Sequence, residues 1–137
     1  MTVVIDSSAL VAYCLNEKEH DITKISEILK AGAISSDIIV VESANAILIA
    51  SRRGLVDKET AEKALDLADR LAKINLKLIP HSETIKDVFD LAKKETKLTI
   101  YDALFIFLAK KTASYLASVD ERQSKIAAKM GIKLVEI

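Results

Sequence analysis

Short β-branched runs alternate with longer stretches whose apolar residues recur at helical spacing, and the alternation runs the length of the chain. Val3-Val4-Ile5 is the first such run. Asp6-Ser7-Ser8 behind it supplies side-chain oxygens able to cap a helix from Ala9 to Leu15. A second helix is predicted from about Asp21 to Lys30, with Ile22, Ile25, Ile28 and Leu29 on one face and Gly32 just beyond its end. Ala33 to Ser35 reads as a brief strand. From Ile38 the chain is apolar nearly all round until Ser51-Arg52-Arg53-Gly54, the pattern of a helix buried in the core, with Gly54 as its C-terminal cap.

Asp57 opens an amphipathic helix to about Ile74. Leu76 to Ile79 then forms a strand ended by Pro80, and Ser82 opens a helix to about Glu95. Thr99 can cap an apolar helix from Ile100 to Lys111, Tyr115 to Val119 is a strand, Glu121 to Met130 is a helix closed by Gly131, and Lys133 to Glu136 is a last strand. Strands separated by helices imply parallel pairing. The predicted fold class is therefore a three-layer α/β/α domain with a central parallel sheet, doubly wound in the Rossmann-like manner.

Composition narrows this picture. A chain of 137 residues, half of them hydrophobic, fits one compact domain spanning 1–137, and with 3 Gly and 1 Pro it is neither disordered nor fibrous. Lys plus Arg equals Asp plus Glu at 20 each, so no bulk positive field draws the protein to nucleic acid, and such binding must use a local patch. Arg52-Arg53, Lys93-Lys94 and Lys110-Lys111 are the candidates. Cys14 is the only cysteine, which excludes an internal disulfide framework, a Cys-rich zinc site and a dithiol redox motif, and predicts a reducing, cytoplasmic location. Met1-Thr2-Val3 lacks the basic region and cleavage site of a signal peptide, and no apolar run approaches the roughly 20 residues of a membrane span.

Most acidic residues stand beside lysines, as in Asn16-Glu17-Lys18-Glu19 and Lys93-Lys94-Glu95, and read as solvated surface. Asp6, Glu42, Asp102 and Asp120 do not. Each is a lone carboxylate inside or at the end of an apolar stretch, where burial is costly unless compensated. Asp6 and Asp120 follow strands, and in an open α/β sheet the ligand crevice lies at the carboxyl ends of strands where their order reverses. Asn45, three residues beyond Glu42, shares its helix face and can hold its carboxylate; Asp102 lies in the first turn of its helix. Singly, each acid also fits a helix cap or a satisfied buried group. Together, carboxylates packed this way need a shared proton or a hard divalent cation, and oxygen-only ligands favour magnesium or manganese over zinc.

Other chemistries are thin. His20 and His81 lie in polar, surface-like segments, Cys14 reads as a small buried hydrophobe, and neither GxGxxG nor a Walker A sequence is present. Ser8, rather than an acid, follows Asp6-Ser7, which disfavours a phosphorelay receiver and an Asp-x-Asp phosphatase.

The four acidic segments resemble those of the PIN domains, especially the single-domain VapC-type toxins of prokaryotic toxin-antitoxin pairs. Val4-Ile5-Asp6-Ser7-Ser8-Ala9-Leu10 is similar to the family's first strand, and Val41-Glu42-Ser43-Ala44-Asn45-Ala46 to its glutamate helix. Tyr101-Asp102-Ala103-Leu104 is similar to the third acidic motif, and Leu116-Ala117-Ser118-Val119-Asp120 to the fourth, with Ser118 where Thr is usual. The resemblance implies a metal-dependent endoribonuclease in which Asp6, Glu42, Asp102 and Asp120 hold one or two Mg²⁺ or Mn²⁺ ions for water attack on a phosphodiester. It implies Ser8, Asn45 and Ser118 as supporting residues around those ligands. It also implies an RNA substrate, to which Arg52 and Arg53 could contribute, a homodimer, and a VapB-type antitoxin as partner. A non-catalytic PIN-like binding module and a housekeeping RNA-processing nuclease are the alternatives.

Overall fold

A computed structural model describes residues 1–137. Its elements run β1 (Val3–Ile5), α1 (Ser7–Cys14), α2 (Ile22–Ala31), β2 (Ala33–Ser36), α3 (Ile39–Arg52), α4 (Lys58–Ile74), β3 (Leu76–Ile79), α5 (Ile85–Ala92), α6 (Ile100–Lys111), β4 (Tyr115–Ala117) and α7 (Glu121–Lys129). The strands form one parallel sheet in the order β3-β2-β1-β4, with Val4 opposite both Ile34 and Leu116. Strand order therefore reverses between β1 and β4, and that seam is where such sheets open a crevice at their carboxyl edge. Helices α1 to α4 pack among themselves, while α5 packs on α6 and α6 lies along β1, β2 and β4.

Local chemistry explains most boundaries. Asp6, Asp21, Asp57, Thr99 and Asp120 each accept a backbone amide at the start of a helix, satisfying donors that the first turn leaves free. Gly54 follows α3 at φ +70°, the left-handed conformation that a C-terminal cap needs. Three predicted elements are shorter than anticipated, the first being β4, which ends at Ala117 and not at Val119. The helix anticipated from Ser82 begins at Ile85, after a single 3₁₀ turn at His81–Glu83, and ends at Ala92. The last strand, anticipated at Lys133 to Glu136, is reduced to one bridge between Leu116 and Leu134, held by the Leu116 amide on the Lys133 carbonyl and the Val135 amide on the Leu116 carbonyl.

Two helices are apolar nearly all round, and only one of them fills the core. In α6, Ala103 to Ile106, Leu108 and Ala109 are all buried, with Phe105 the largest side chain sealed from solvent. In α3 only Ile39, Ser43 and Ile47 are buried, whereas Val41 is 68% exposed and Val40, Leu48 and Ile49 are also open. The expectation of a core-buried helix from Ile38 is thus corrected: α3 packs on α1 and α4 along one side and presents an apolar face to solvent. Helical periodicity registers how apolar a surface is, not what covers it.

This core makes a simple demand. Phe105→Ala is expected to lower the unfolding free energy by about 3–5 kcal/mol, and Phe89→Ala, on the exposed side of α5, by no more than about 0.5 kcal/mol. Urea denaturation measures both, and equal losses would contradict the packing described.

Candidate active site

At the β1–β4 seam the backbone delivers carboxylates from four elements. Asp6 leaves the end of β1 and turns the chain into α1, its Oδ1 accepting the Ala9 amide at 3.0 Å and the Ser8 hydroxyl at 2.7 Å. Asp120 does the same after β4, where its Oδ1 accepts the Gln123 amide at 3.0 Å and so caps α7. The two strand ends are tied by hydroxyls. Ser8 Oγ lies 3.2 Å from Ser118 Oγ and accepts the Val119 amide at 3.0 Å, while Ser118 Oγ accepts the Asp120 amide at 3.1 Å. Glu42 enters from the first turn of α3 and takes a 2.9 Å hydrogen bond from Ser7. Asp102 enters from the first turn of α6, whose Thr99 hydroxyl accepts the Asp102 amide.

All four line one cavity of about 370 Å³, together with Ser7, Ser8, Glu17 and Gln123. A larger cavity of about 520 Å³ opens at the opposite, amino-terminal edge of the sheet between Met1, Val3, Ile34 and Leu76, and it carries no carboxylate. Chemistry, rather than size, singles out the acidic one.

Burial sets the electrostatics. Asp6 is 1% exposed, and this loss of hydration pushes its pKa up to about 6; the Ser118 hydroxyl, Ala9 amide and Ser8 hydroxyl oppose the shift, and the charge of Asp120 adds to it. Glu42 is also raised, first by burial and then by Asp102, with the Ser7 hydroxyl opposing. The acids thus repel in two pairs, Asp6 with Asp120 and Glu42 with Asp102. No three of them bring ligand atoms within 4.8 Å of one another; the group that does is Glu17, Glu19 and His20, of which only Glu17 lines the cavity. Burial, then Glu19, raises the pKa of Glu17.

Two acidic strand ends at a topological reversal, joined by a glutamate and an aspartate from flanking helices, form a recognisable frame. Residues 3–129 match the family model described as the PIN domain. The chain belongs to the PIN-domain family. It is 30% identical over 122 residues, 89% of this chain and 92% of the relative, to a protein of Pyrobaculum aerophilum named Ribonuclease VapC3. Its fold is similar to the crystal structure of PAE2754 from Pyrobaculum aerophilum, with a TM-score of 0.64 at 20% identity over 96% of this chain and 97% of that one. No helix of this PIN domain is long and apolar enough to cross a membrane.

The structure brings some of the sequence-predicted residues to the cavity and leaves others outside it. Asn45 is exposed and makes no hydrogen bond to Glu42; Ser7 supplies the contact that Asn45 was expected to make, because it opens α1, which packs against α3. Arg52 and Arg53 close the far end of α3, roughly 15 Å along the helix from Glu42 at 1.5 Å per residue, and stay outside the cavity. Glu17, read as solvated surface, lines the cavity because Asn16, at φ +53°, turns the chain back after α1. His20 is half-buried beside it, whereas His81 is exposed and bonded to Asp37 through Nδ1 at 2.9 Å. Burial pushes the Cys14 thiol up to about 12, consistent with an inert packing residue. Arg122 and Gln123, which no sequence pattern marked, both reach Asp102.

Asp6 gives the metal-free protein a pH dependence. Near pH 4 and below, Asp6 is protonated in the native state; as pH rises to about 6 the unfolded chain has lost the proton that the native state keeps, so stability falls. The loss is on the order of 3 kcal/mol and is complete above the native pKa. Asp6→Asn keeps the oxygen that accepts Ala9 and Ser8 but carries no charge. In chelator at pH 7 it should unfold at higher urea than the wild type, with the gap closing near pH 4; a constant gap across that range would refute the assignment.

Proposed function

We propose that this PIN-domain protein is a divalent-metal-dependent endoribonuclease, acting as the cytoplasmic toxin of a VapBC-type pair. The observation that carries this reading is the convergence of Asp6, Glu42, Asp102 and Asp120 on one cavity at the β1–β4 seam. The donor set fits Mg²⁺ or Mn²⁺: every candidate ligand is a hard oxygen, and the buried Asp6 carboxylate has hydroxyl and amide partners but no cationic side chain. Asp6, Glu42, Asp102 and Asp120 would hold the ion. Held there, a divalent cation would supply activation of water and neutralisation of the charge that develops on a phosphodiester.

The chain's own residues do the remaining work. The Ser8–Ser118 hydroxyl pair fixes the separation of the Asp6 and Asp120 backbones, so the two carboxylates enter the cavity from neighbouring strands at a set spacing. Ser7 orients Glu42 and favours its charged form. Attack by water, rather than by a ribose hydroxyl, leaves a 5′-phosphate and a 3′-hydroxyl. RNA as substrate and a VapB-type antitoxin as partner are supported by the named relative. The exposed apolar face of α3, with Val40, Val41, Leu48 and Ile49, begins beside Glu42 and offers a surface for that antitoxin or for the second subunit of a homodimer.

Mn²⁺ titrated calorimetrically into wild type should show binding that Asp102→Asn weakens by at least about tenfold. RNA incubated with the Mn²⁺-loaded wild type should yield fragments carrying 5′-phosphates. Absence of binding at millimolar Mn²⁺, or products ending in 2′,3′-cyclic phosphate, would overturn the reading.

A further inference from the structure

Arg122 is the one guanidinium that touches a carboxylate of the acidic cavity. Arg122, in the first turn of α7, donates through Nη2 to Asp102 Oδ2 at 2.6 Å and through Nη1 to the Lys97 carbonyl at 2.6 Å. Its neighbour Gln123, 2% exposed, donates its side-chain amide to the Asp102 carbonyl at 3.1 Å and its backbone amide to Asp120 at 3.0 Å. Two adjacent residues of α7 therefore grip the third and fourth carboxylates at once.

We propose that Arg122 is a positioning residue for the metal centre, holding the Asp102 carboxylate by one oxygen so that the other is presented to the cation. This rests on the metal-dependent reading above. The fork geometry carries the inference. One arm is held on a backbone carbonyl and the other meets Asp102 at Oδ2 alone, so the pair is a single-point contact and not a bidentate one. Oδ1 has no hydrogen-bond partner in the protein, and Asp102 lines the cavity. A ligating carboxylate whose second oxygen is hydrogen-bonded is oriented in advance, and such outer contacts commonly govern metal affinity.

Folding alone gives little reason for the pair. The Arg122 side chain is 49% exposed against 18% for Asp102, and ion pairs so open to water contribute little to stability. The local context adds a reason for arginine over lysine: an ammonium can supply charge at Oδ2 but cannot hold the same fork on Lys97 and Asp102. Glu121, beside it, is exposed and lies outside the cavity.

Mn²⁺ calorimetry on wild type, Arg122→Gln, Arg122→Lys and Asp102→Asn, paired with thermal melts in chelator, tests the role. Arg122→Gln should weaken Mn²⁺ binding about tenfold to a hundredfold, with the chelator melt little changed, and Arg122→Lys should recover part of that loss. Wild-type binding weakened by Asp102→Asn but unchanged or tightened by Arg122→Gln would overturn the positioning role while leaving the metal centre standing; tighter binding would mean that Arg122 competes with the cation. Loss of Mn²⁺ binding in Arg122→Gln that only follows a collapsed melt, with no recovery in Arg122→Lys, would also overturn it. No Mn²⁺ binding by wild type would remove both readings together.

Discussion

The carboxylate of Asp6, buried where β1 gives way to α1, is the constraint around which the site is arranged. A charge sealed from water is tolerated only with compensation. Here compensation begins with the backbone: the carboxylate doubles as the cap of α1 and takes the Ala9 amide and the Ser8 hydroxyl. That leaves its pKa well above the ordinary range, so the bonds within the protein fall short of full payment. The hydroxyls that surround it have a second task. Ser8 and Ser118 bridge the two strand ends, which fixes Asp120 next to Asp6 and adds a second negative charge to a site already short of hydration. Stability alone would not place these groups together, since like charges at close quarters work against folding.

The same logic extends outward. Glu42 and Asp102 form a second repelling pair, each delivered by the first turn of a helix, and each is steadied by a partner from another element: Ser7 from α1, Arg122 from α7. First turns suit this task because the helix N-terminus carries partial positive charge and free amides, which favour a carboxylate nearby. Topology supplies the rest. With strand order reversing between β1 and β4, helices leave the seam in different directions and the carboxyl edge stays uncovered, so acids from four separated segments meet in one open cavity.

Helices α3 and α6 show how differently one kind of sequence can be used. Both are apolar around most of their circumference, yet α6 lies along three strands with its middle buried apart from Phe107, while α3 lines the cavity at one end and shows Val40, Val41, Leu48 and Ile49 to solvent. A helix packed along several strands is apolar because the core covers it; an equally apolar helix at the edge of the cavity leaves a surface of the kind that partners cover.

Sequence alone determined the α/β order, the capped starts of most helices and the four acids that meet in the cavity, because each is written locally. An aspartate behind a β-branched run, or a lone carboxylate in an apolar helix, conflicts with its immediate surroundings, and that conflict is visible without coordinates. Only the tertiary structure decided which other residues join them. Ser7 rather than Asn45 holds Glu42 because α1 lies against α3, an adjacency no helical spacing encodes. Glu17 turns inward because one left-handed residue redirects the chain, and Arg122 reaches Asp102 across 20 positions because the first turns of α6 and α7 meet at the cavity. Arg52 and Arg53 are removed from the cavity by the length of the helix that carries them. Acids that must be buried announce themselves by the local cost of burial; the groups that satisfy them are chosen by proximity in space, and for ordinary polar residues that proximity leaves no mark on the sequence nearby.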